Sequence, residues 1–464
     1  MQFVTWHLKA SVKKGAALIA AVLLLCAAPF LTIAETRLST EEARNLAGVL
    51  LQAGRLPEAR DLALGLLRAD RKDVAALIIV SQAERVMGRP DVARDAGAAA
   101  WAFATTPAQH YAAAIVTAQA LATSKNYSRS QLWMRRAAQH APSDAAGQLV
   151  ARDYGRLRQI NPLTLSFGTK ISPSSNVNNG SANRTTTFEG LPFVFTLSPE
   201  ARALSGVEAS INAGLKYRLS ASERSTTHLT FELYSRQIAF SAKSKADAPD
   251  AKPGDYAFAQ ASLGLVHSWQ PKSTKGGWTA GLTYGRSVYG GDPYSESGQL
   301  YLTRGWELGE KARFSLTAGA EATRYLSTNR HSNSLNLKAV WAKNLPDGKD
   351  ISVTLGLGDT KASRTTGEFT EVSLGAKYNL GEILRGLDLT MSYQIELQHY
   401  PVAGLVAGAR NDVRHALSAE VGLKRATFYG FEPVLSVEAS RNVSNVDFYD
   451  SMAVKLGVNL RSSF

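Results

Sequence analysis

The C-terminal stretch Ser451-Met-Ala-Val-Lys-Leu-Gly-Val-Asn-Leu-Arg-Ser-Ser-Phe464 decides how the rest of the chain is interpreted. Its even-numbered positions are mostly apolar, whereas its odd-numbered positions are small, polar or basic. Alternate side chains of a strand point to opposite faces, so the stretch predicts a strand with one apolar and one polar face. About ten residues of a tilted strand span a bilayer. The stretch therefore predicts a membrane-spanning β-strand that ends on an aromatic residue.

The same alternation recurs back to Asn161-Pro162, where helical periodicity gives way to strand periodicity. We predict about fourteen strands, an even number as in single-chain bacterial barrels. Besides the terminal stretch, they fall near 163–171, 207–218, 226–240, 256–269, 277–289, 297–306, 311–325, 333–343, 350–361, 368–379, 387–398, 411–426 and 430–442. The pattern predicts a transmembrane antiparallel β-barrel domain over 161–464.

The predicted connections between strands alternate in length. Short connections fall near 220–225, 270–276, 307–310, 344–349, 380–386 and 427–429, and the longest are 172–206, 241–255 and 400–410. Bacterial barrels have short periplasmic turns and longer outer loops. The tryptophans of this half flank the short turns, as in an interfacial aromatic girdle; they are Trp269, Trp278, Trp306 and Trp341. This orientation predicts a periplasmic N-terminal domain.

The segment from about position 38 to 159 is rich in Ala, Leu, Arg and Gln and has helical periodicity. Ser39 and Glu42 have the spacing of a capping box at the start of a helix. The run Gly54-Arg-Leu-Pro-Glu-Ala-Arg60 is echoed by Gly88-Arg-Pro-Asp-Val-Ala-Arg94, 34 positions later, which is the tetratricopeptide period. A third, less regular copy begins near Lys125. We predict a tetratricopeptide-like helical domain over 35–160, which binds peptide in a groove or serves as a spacer. The fold class is thus α+β multidomain.

Residues 1–34 have the features of a secretory signal peptide. Lysines precede an apolar run over 16–28 that is too short to span a membrane, and we predict cleavage after Ala34. The single cysteine, Cys26, lies in this segment, so no disulfide is expected in the mature chain. The formal net charge of +13 is spread along the chain without a block of Lys and Arg, which argues against nucleic acid as a partner.

A short motif follows the first predicted strand, Ile171-Ser-Pro-Ser-Ser-Asn-Val-Asn-Asn179. An exported tetratricopeptide segment joined to a barrel of about fourteen strands that opens with Pro-x-Ser-Asn-Ile/Val-Asn resembles the surface lipoprotein assembly modulator family (Slam). The resemblance covers nearly the whole mature chain. The motif positions that carry over are Pro173, Ser175, Asn176 and Asn178.

The resemblance implies a location in the bacterial outer membrane and a role in delivering lipoproteins to the cell surface. The implied partners are the outer-membrane lipid bilayer, a lipoprotein client bound by the helical domain and the barrel, and the barrel assembly machinery. The alternation that ends in Leu460 and Phe464 resembles the assembly signal of bacterial outer-membrane barrels.

Motifs of enzyme chemistry are absent from the sequence. It contains no Gly-x-Ser-x-Gly, His-Glu-x-x-His, P-loop or Cys-x-x-Cys, and histidines such as His110 and His140 are scattered. We therefore predict no enzyme and assign no catalytic, cofactor-binding or metal-binding residues. Two alternative functions stay open: a pore for polysaccharide export, which also joins tetratricopeptide helices to a barrel but with longer helical arrays, and a pore for solute passage.

Overall fold

The computed structural model describes residues 38–187, 192–272, 274–404 and 408–462. The predicted signal peptide and Phe464 lie outside these residues. Within them, a helical segment is followed by a closed antiparallel barrel, which confirms the predicted α+β layout. No described helix is long and apolar enough to cross a membrane.

The helical segment begins at the predicted capping box, where Ser39 Oγ accepts a hydrogen bond from the backbone N–H of Glu42, and the Glu42 carboxylate accepts one from Ser39. The first two helix pairs repeat at 34 residues, since Leu56 and Pro90 both begin a second helix. The third pair departs from this spacing, as predicted. The helices are α1 (Thr40–Gln52), α2 (Leu56–Ala69), α3 (Val74–Val86), α4 (Pro90–Phe103), α5 (Pro107–Thr123), α6 (Tyr127–Gln139) and α7 (Asp144–Ile160).

Small residues bring these helices close together. Ala47, Ala59 and Ala63 are fully buried between α1, α2 and α3. On α4, a Cβ added at Gly97 would meet Thr117 Oγ1 of α5 at 2.4 Å, so the two helices approach each other more closely than a larger side chain would allow. The helical segment therefore has a tightly packed core of its own.

Fourteen strands form one closed barrel, which confirms the predicted number. The short strands β2 and β3 form a separate hairpin in the connection after β1, and a short helix, α8 (Ala242–Asp247), follows β5. The strands are β1 (Leu163–Ser174), β2 (Thr185–Thr187), β3 (Val194–Thr196), β4 (Gly206–Ala221), β5 (Ser225–Phe240), β6 (Phe258–Trp269), β7 (Trp278–Tyr289), β8 (Asp292–Leu308), β9 (Ala312–Tyr325), β10 (Arg330–Asn344), β11 (Asp350–Ala362), β12 (Phe369–Leu384), β13 (Leu387–Tyr400), β14 (Arg410–Leu423), β15 (Phe431–Ser444) and β16 (Ser451–Ser462).

The two faces of the barrel wall differ as the alternation predicts. Large apolar side chains such as Leu300 and Leu335 are exposed on the outside. The inward face carries charges of both signs, which form ion pairs between strands. Examples with a nitrogen–oxygen distance of 2.8 Å are Lys455 with Glu208 and Arg461 with Glu432. The barrel thus has an apolar exterior and an inner face on which ion pairs link nearby strands.

The two ends of the barrel are named here by what they carry. The end at which α7 leads into Leu163 is the helix end. The opposite end, where the long connection 175–205 follows β1, is the loop end. Strand β1 therefore runs from the helix end to the loop end, and β16 runs back.

Replacing Val458 tests the outward face of β16. This side chain is 53% exposed near the middle of the strand. Arginine there would be placed in the hydrocarbon, so we expect Val458→Arg to lower the free energy of unfolding by ~2–4 kcal/mol. Urea titration of the protein folded in lipid vesicles, followed by heat-modifiable gel migration, measures this change. Val458→Leu is the control and should unfold like the wild type; equal stability of both variants would contradict the outward assignment.

Candidate functional site

The seam between β1 and β16 closes the barrel with little backbone pairing. The described partners are Lys170 with Asn459, Ile171 with Val458, and Ser174 with Lys455. On its other edge, β1 pairs with β4 along its whole length. The pairing of β1 is interrupted only on the side of β16. The junction between β1 and β16 is therefore held less firmly than the junction between β1 and β4.

The helix-end half of β1 has no described backbone partner on β16. The register that pairs Lys170 with Asn459 places Phe167 opposite Ser462, the last described residue, and Leu163–Ser166 extend beyond it. For Phe167–Thr169, which this register places opposite Leu460–Ser462, no backbone pairing with β16 is described. Within the described residues, this half of the seam is therefore a sheet edge.

The loop-end half of the seam is closed by side chains of the motif. Ser172 Oγ donates a hydrogen bond to the carbonyl of Leu456, at 2.7 Å. The N–H of Ser175 donates to the carbonyl of Val454, at 3.0 Å, and Ser175 Oγ accepts from the N–H of Val454, at 2.9 Å. Pro173 lies between the two serines and has no N–H for the ladder. Hydroxyl groups thus replace part of the missing backbone pairing.

Asn176 is only 2% exposed. Its hydrogen bonds, together with those of Ser172 and Ser175, form what we call the clamp. Its Nδ2 donates to the carbonyl of Met452 on β16, at 3.2 Å, and to that of Gly180, at 2.9 Å. Its Oδ1 accepts from the N–H of Gly180, at 2.9 Å. A buried amide with these partners fixes the turn after β1 against the last strand.

Asn178 lies near the start of the long connection 175–205 and hydrogen-bonds to residues near its end. Its Nδ2 donates to the carbonyls of Glu200 and Arg202, at 2.9 and 2.8 Å, and its Oδ1 accepts from the N–H of Leu204, at 2.9 Å. Val177, between the two asparagines, is buried in a small apolar cluster with Leu204, Phe240 and Ala248. The four motif residues carried over from the resemblance thus lie together at the loop end of the seam.

Helix α6 contacts the β15–β16 side of the seam at the helix end. The guanidinium of Arg135 donates to Ser462 Oγ, at 2.8 Å, and lies over the ring of Phe431, at 4.9 Å from its centroid. Nearby, Gln139 Oε1 accepts from the N–H of Tyr429, at 2.9 Å. These contacts attach the helical segment to the end of β16 and to the start of β15 with the turn before it.

Helix α7 contacts the other side of the seam. Arg218 on β4 donates to the carbonyls of Gln159 and Ile160, at 2.8 and 2.9 Å, which are among those that a helix end leaves unpaired. Between helix and strand, the buried Asn161 accepts from the N–H of Leu163 through Oδ1, at 3.1 Å. The helical segment is therefore bonded to both flanks of the seam.

The chemistry of this site is one of hydrogen bonding and packing. Among the described residues, no group of three or more His, Cys, Asp and Glu could hold a metal ion. In the helical segment, His110 and His140 stack with ring centroids 4.9 Å apart, beside Trp101. Burial, and then the neighbouring His110, lowers the pKa of His140.

Comparison with known families identifies the barrel. The family model of surface lipoprotein assembly modifiers matches residues 164–464. The chain belongs to this family. The match contains nearly all of β1, the motif and β16, so every barrel strand of the seam lies within it. The family and the apolar barrel exterior make the chain an outer-membrane β-barrel protein. No curated protein matches the chain.

Solved structures of outer-membrane proteins are similar to part of this chain. OmpT of Vibrio cholerae lacking loop L8 is 11% identical with a TM-score of 0.33, covering 65% of this chain and 99% of its own. An outer-membrane channel from Pseudomonas putida F1 is 11% identical with a TM-score of 0.32, covering 64% and 95%. OccAB3 of Acinetobacter baumannii is 7% identical with a TM-score of 0.36, covering 64% and 98%.

The sequence alone does not single out the residues that join the helical segment to the helix end of the barrel. Arg218 lies at the end of the strand predicted near 207–218, and neither Arg218 nor Arg135 has a sequence feature that sets it apart. Leu460 of the proposed assembly signal lies on the outward face of β16, opposite Pro433 of β15. Its companion Phe464 lies outside the described residues.

Replacing Asn176 tests the clamp. Asn176→Ala removes the side-chain donor to the carbonyls of Met452 and Gly180 and leaves the N–H of Gly180 with only its 3.3 Å hydrogen bond to Asn178 Oδ1, so we expect a loss of ~1–3 kcal/mol in the free energy of unfolding. Asn333→Ala changes an exposed asparagine of β10 and should have no effect. Urea titration in vesicles compares the two variants. Equal midpoints would show that the clamp does not stabilise the barrel.

Replacing Arg135 tests the attachment of the helical segment. We expect Arg135→Ala to broaden the distance distribution between spin labels at Lys125→Cys and Lys275→Cys, because α6 loses its hydrogen bond to Ser462 and its contact with Phe431 and keeps only the contact of Gln139 with Tyr429. Arg156→Ala removes a surface ion pair with Asp153 within α7 and should leave the distribution unchanged. Pulsed electron paramagnetic resonance on the full chain measures the distance distribution in both variants. A narrow distribution in Arg135→Ala would mean that other contacts suffice.

Proposed function

We propose that this protein delivers lipoproteins to the bacterial cell surface. The observation that carries the proposal is a helical segment bonded to both flanks of an incompletely paired seam, in a barrel of the surface lipoprotein assembly modifier family. Stacked helix pairs present a surface suited to peptide. The helical segment receives the client, and the barrel passes it across the outer membrane.

The lengths of the connections support one orientation of the protein. Short turns such as those between Ala221 and Ser225 or between Leu384 and Leu387 lie at the helix end, and the long connection 175–205 lies at the loop end. Outer-membrane barrels keep short turns on the periplasmic side. We therefore place the helical segment, over 35–160, in the periplasm, where a newly exported lipoprotein first becomes available.

The motif has a mechanical role in this proposal. Pro173, Ser175, Asn176 and Asn178 keep the loop end of the seam closed, since three of them hydrogen-bond to β16 or to the returning connection. A closed loop end prevents the weakly paired seam from separating along its whole length. The outward Leu460 and the terminal Phe464 serve a different step, in which the barrel assembly machinery folds this chain into the bilayer.

A deletion strain tests the proposal. We expect loss of the gene to lower the amount of lipoprotein labelled by an impermeant biotin reagent on intact cells, while total cellular lipoprotein stays constant. Full-length protein expressed from a plasmid should restore labelling. Surface proteomics and quantification of secreted polysaccharide are performed on the same cultures. Normal surface lipoproteins, with or without a loss of polymer, would contradict the proposed delivery function.

A further inference from the structure

We propose that Leu163–Thr169, the helix-end half of β1, is a docking edge for an extended β-strand of the client. The inference rests on the proposed function and adds the place and mode of client binding. A strand that pairs here would lie beside β1 on the side of β16, between the two contacts of the helical segment with the barrel.

The first argument is the hydrogen bonding of the β1 backbone. One edge of Leu163–Thr169 is paired with β4. On the other edge, Phe167–Thr169 have no described backbone pairing with Leu460–Ser462, and the positions opposite Leu165 and Ser166 lie outside the described residues. Backbone N–H and C=O groups without a partner are costly in a membrane, and for that reason lipid-exposed sheet edges are not left unpaired. An added strand would satisfy these groups by β-augmentation.

The second argument is the pattern of side chains along the edge. Leu165 and Phe167 face outward and are 64% and 53% exposed, whereas Ser166 and Gly168 face the lumen. A Cβ added at Gly168 would meet Asn212 Oδ1 at 2.5 Å, so the lumen side is tightly filled here. A strand beside this edge must place apolar residues outward and small polar residues inward. The occupant is therefore an amphipathic strand of alternating apolar and small polar residues.

The third argument is the distribution of contacts along the seam. Ser175 and Asn176 hold β16 at the loop end through Val454 and Met452, so separation of the strands can begin only at the helix end. There, Arg135 holds Ser462 at the end of β16. A client strand leaving the helical segment would meet the edge of β1 first, and it would enter as the end of β16 moves aside.

Photo-crosslinking of purified full-length protein in lipid vesicles tests the edge. The probe is a biotinylated synthetic peptide of about nine residues that alternates leucine and threonine. p-Benzoylphenylalanine replaces Phe167 at the edge or, as the control, Leu215, which lies on β4 with strands paired on both sides. We expect at least about fivefold more adduct at position 167. Equal adduct at both positions, or equal adduct with a peptide that has its leucines and threonines in separate blocks, would overturn the proposal.

A reversible lock gives a second readout. The register places Thr169 opposite Leu460, so Thr169→Cys with Leu460→Cys can form a disulfide across the edge. The control pair, Ile171→Cys with Val458→Cys, joins positions that are already paired and face the same way. The native Cys26 lies in the predicted signal peptide, so it does not compete in the mature chain.

We expect the oxidised edge lock to abolish the peptide adduct at position 167 and the reducing agent to restore it. The control lock should leave the adduct unchanged. An adduct that persists in the oxidised edge lock would overturn the docking edge.

The same two locks in cells separate this inference from the proposed function. If deletion of the gene lowers surface lipoprotein and the oxidised edge lock does the same, both stand. If deletion lowers it and the edge lock leaves it normal, the docking edge is wrong and the function stands. If deletion leaves surface lipoprotein normal, the delivery function is wrong, and the peptide adduct then judges the edge by itself.

Discussion

Hydrogen bonding of the backbone in a medium without water is the constraint on which this structure depends. A sheet that crosses a membrane must close on itself, because lipid offers no partner for N–H and C=O groups. Thirteen of the fourteen junctions join barrel strands that follow each other in the chain. The fourteenth junction, between β1 and β16, closes the barrel. Of the fourteen barrel junctions, this one has the fewest described pairs of backbone partners. At the loop end, serine and asparagine side chains replace some of the missing backbone hydrogen bonds.

The helical segment compensates at the opposite end of the same junction. Arg135 reaches Ser462 and Phe431 on one flank, and Arg218 reaches the last carbonyls of α7 on the other. At the helix end, the seam is therefore held by the two arginines and by the chain itself, since α7 leads directly into β1. At the loop end, it is held by the motif. The arginine contacts are exposed or half-buried, so they can be exchanged for other partners at lower cost than the buried contacts of Asn176.

The sequence predicts local periodicity well and long-range pairing poorly. The alternation before Phe464 and the 34-residue echo of Gly54 at Gly88 locate strands and helices closely, because each reflects which side chains face one environment. The short pairing of the seam could not be predicted, since the register between first and last strand depends on closure of the whole barrel. Likewise, Arg135 and Ser462 are 327 positions apart, and neither is distinctive in the sequence.

Residue-resolved hydrogen exchange of the full chain in lipid vesicles tests the central claim most directly. The claim is that the seam is firmly closed at the loop end and weakly paired at the helix end. It predicts that amides of Leu163–Thr169 directed at β16 exchange much faster than those of Lys170–Ser174, and faster than amides of β4 at the same depth. Equal protection along the whole of β1 would contradict it.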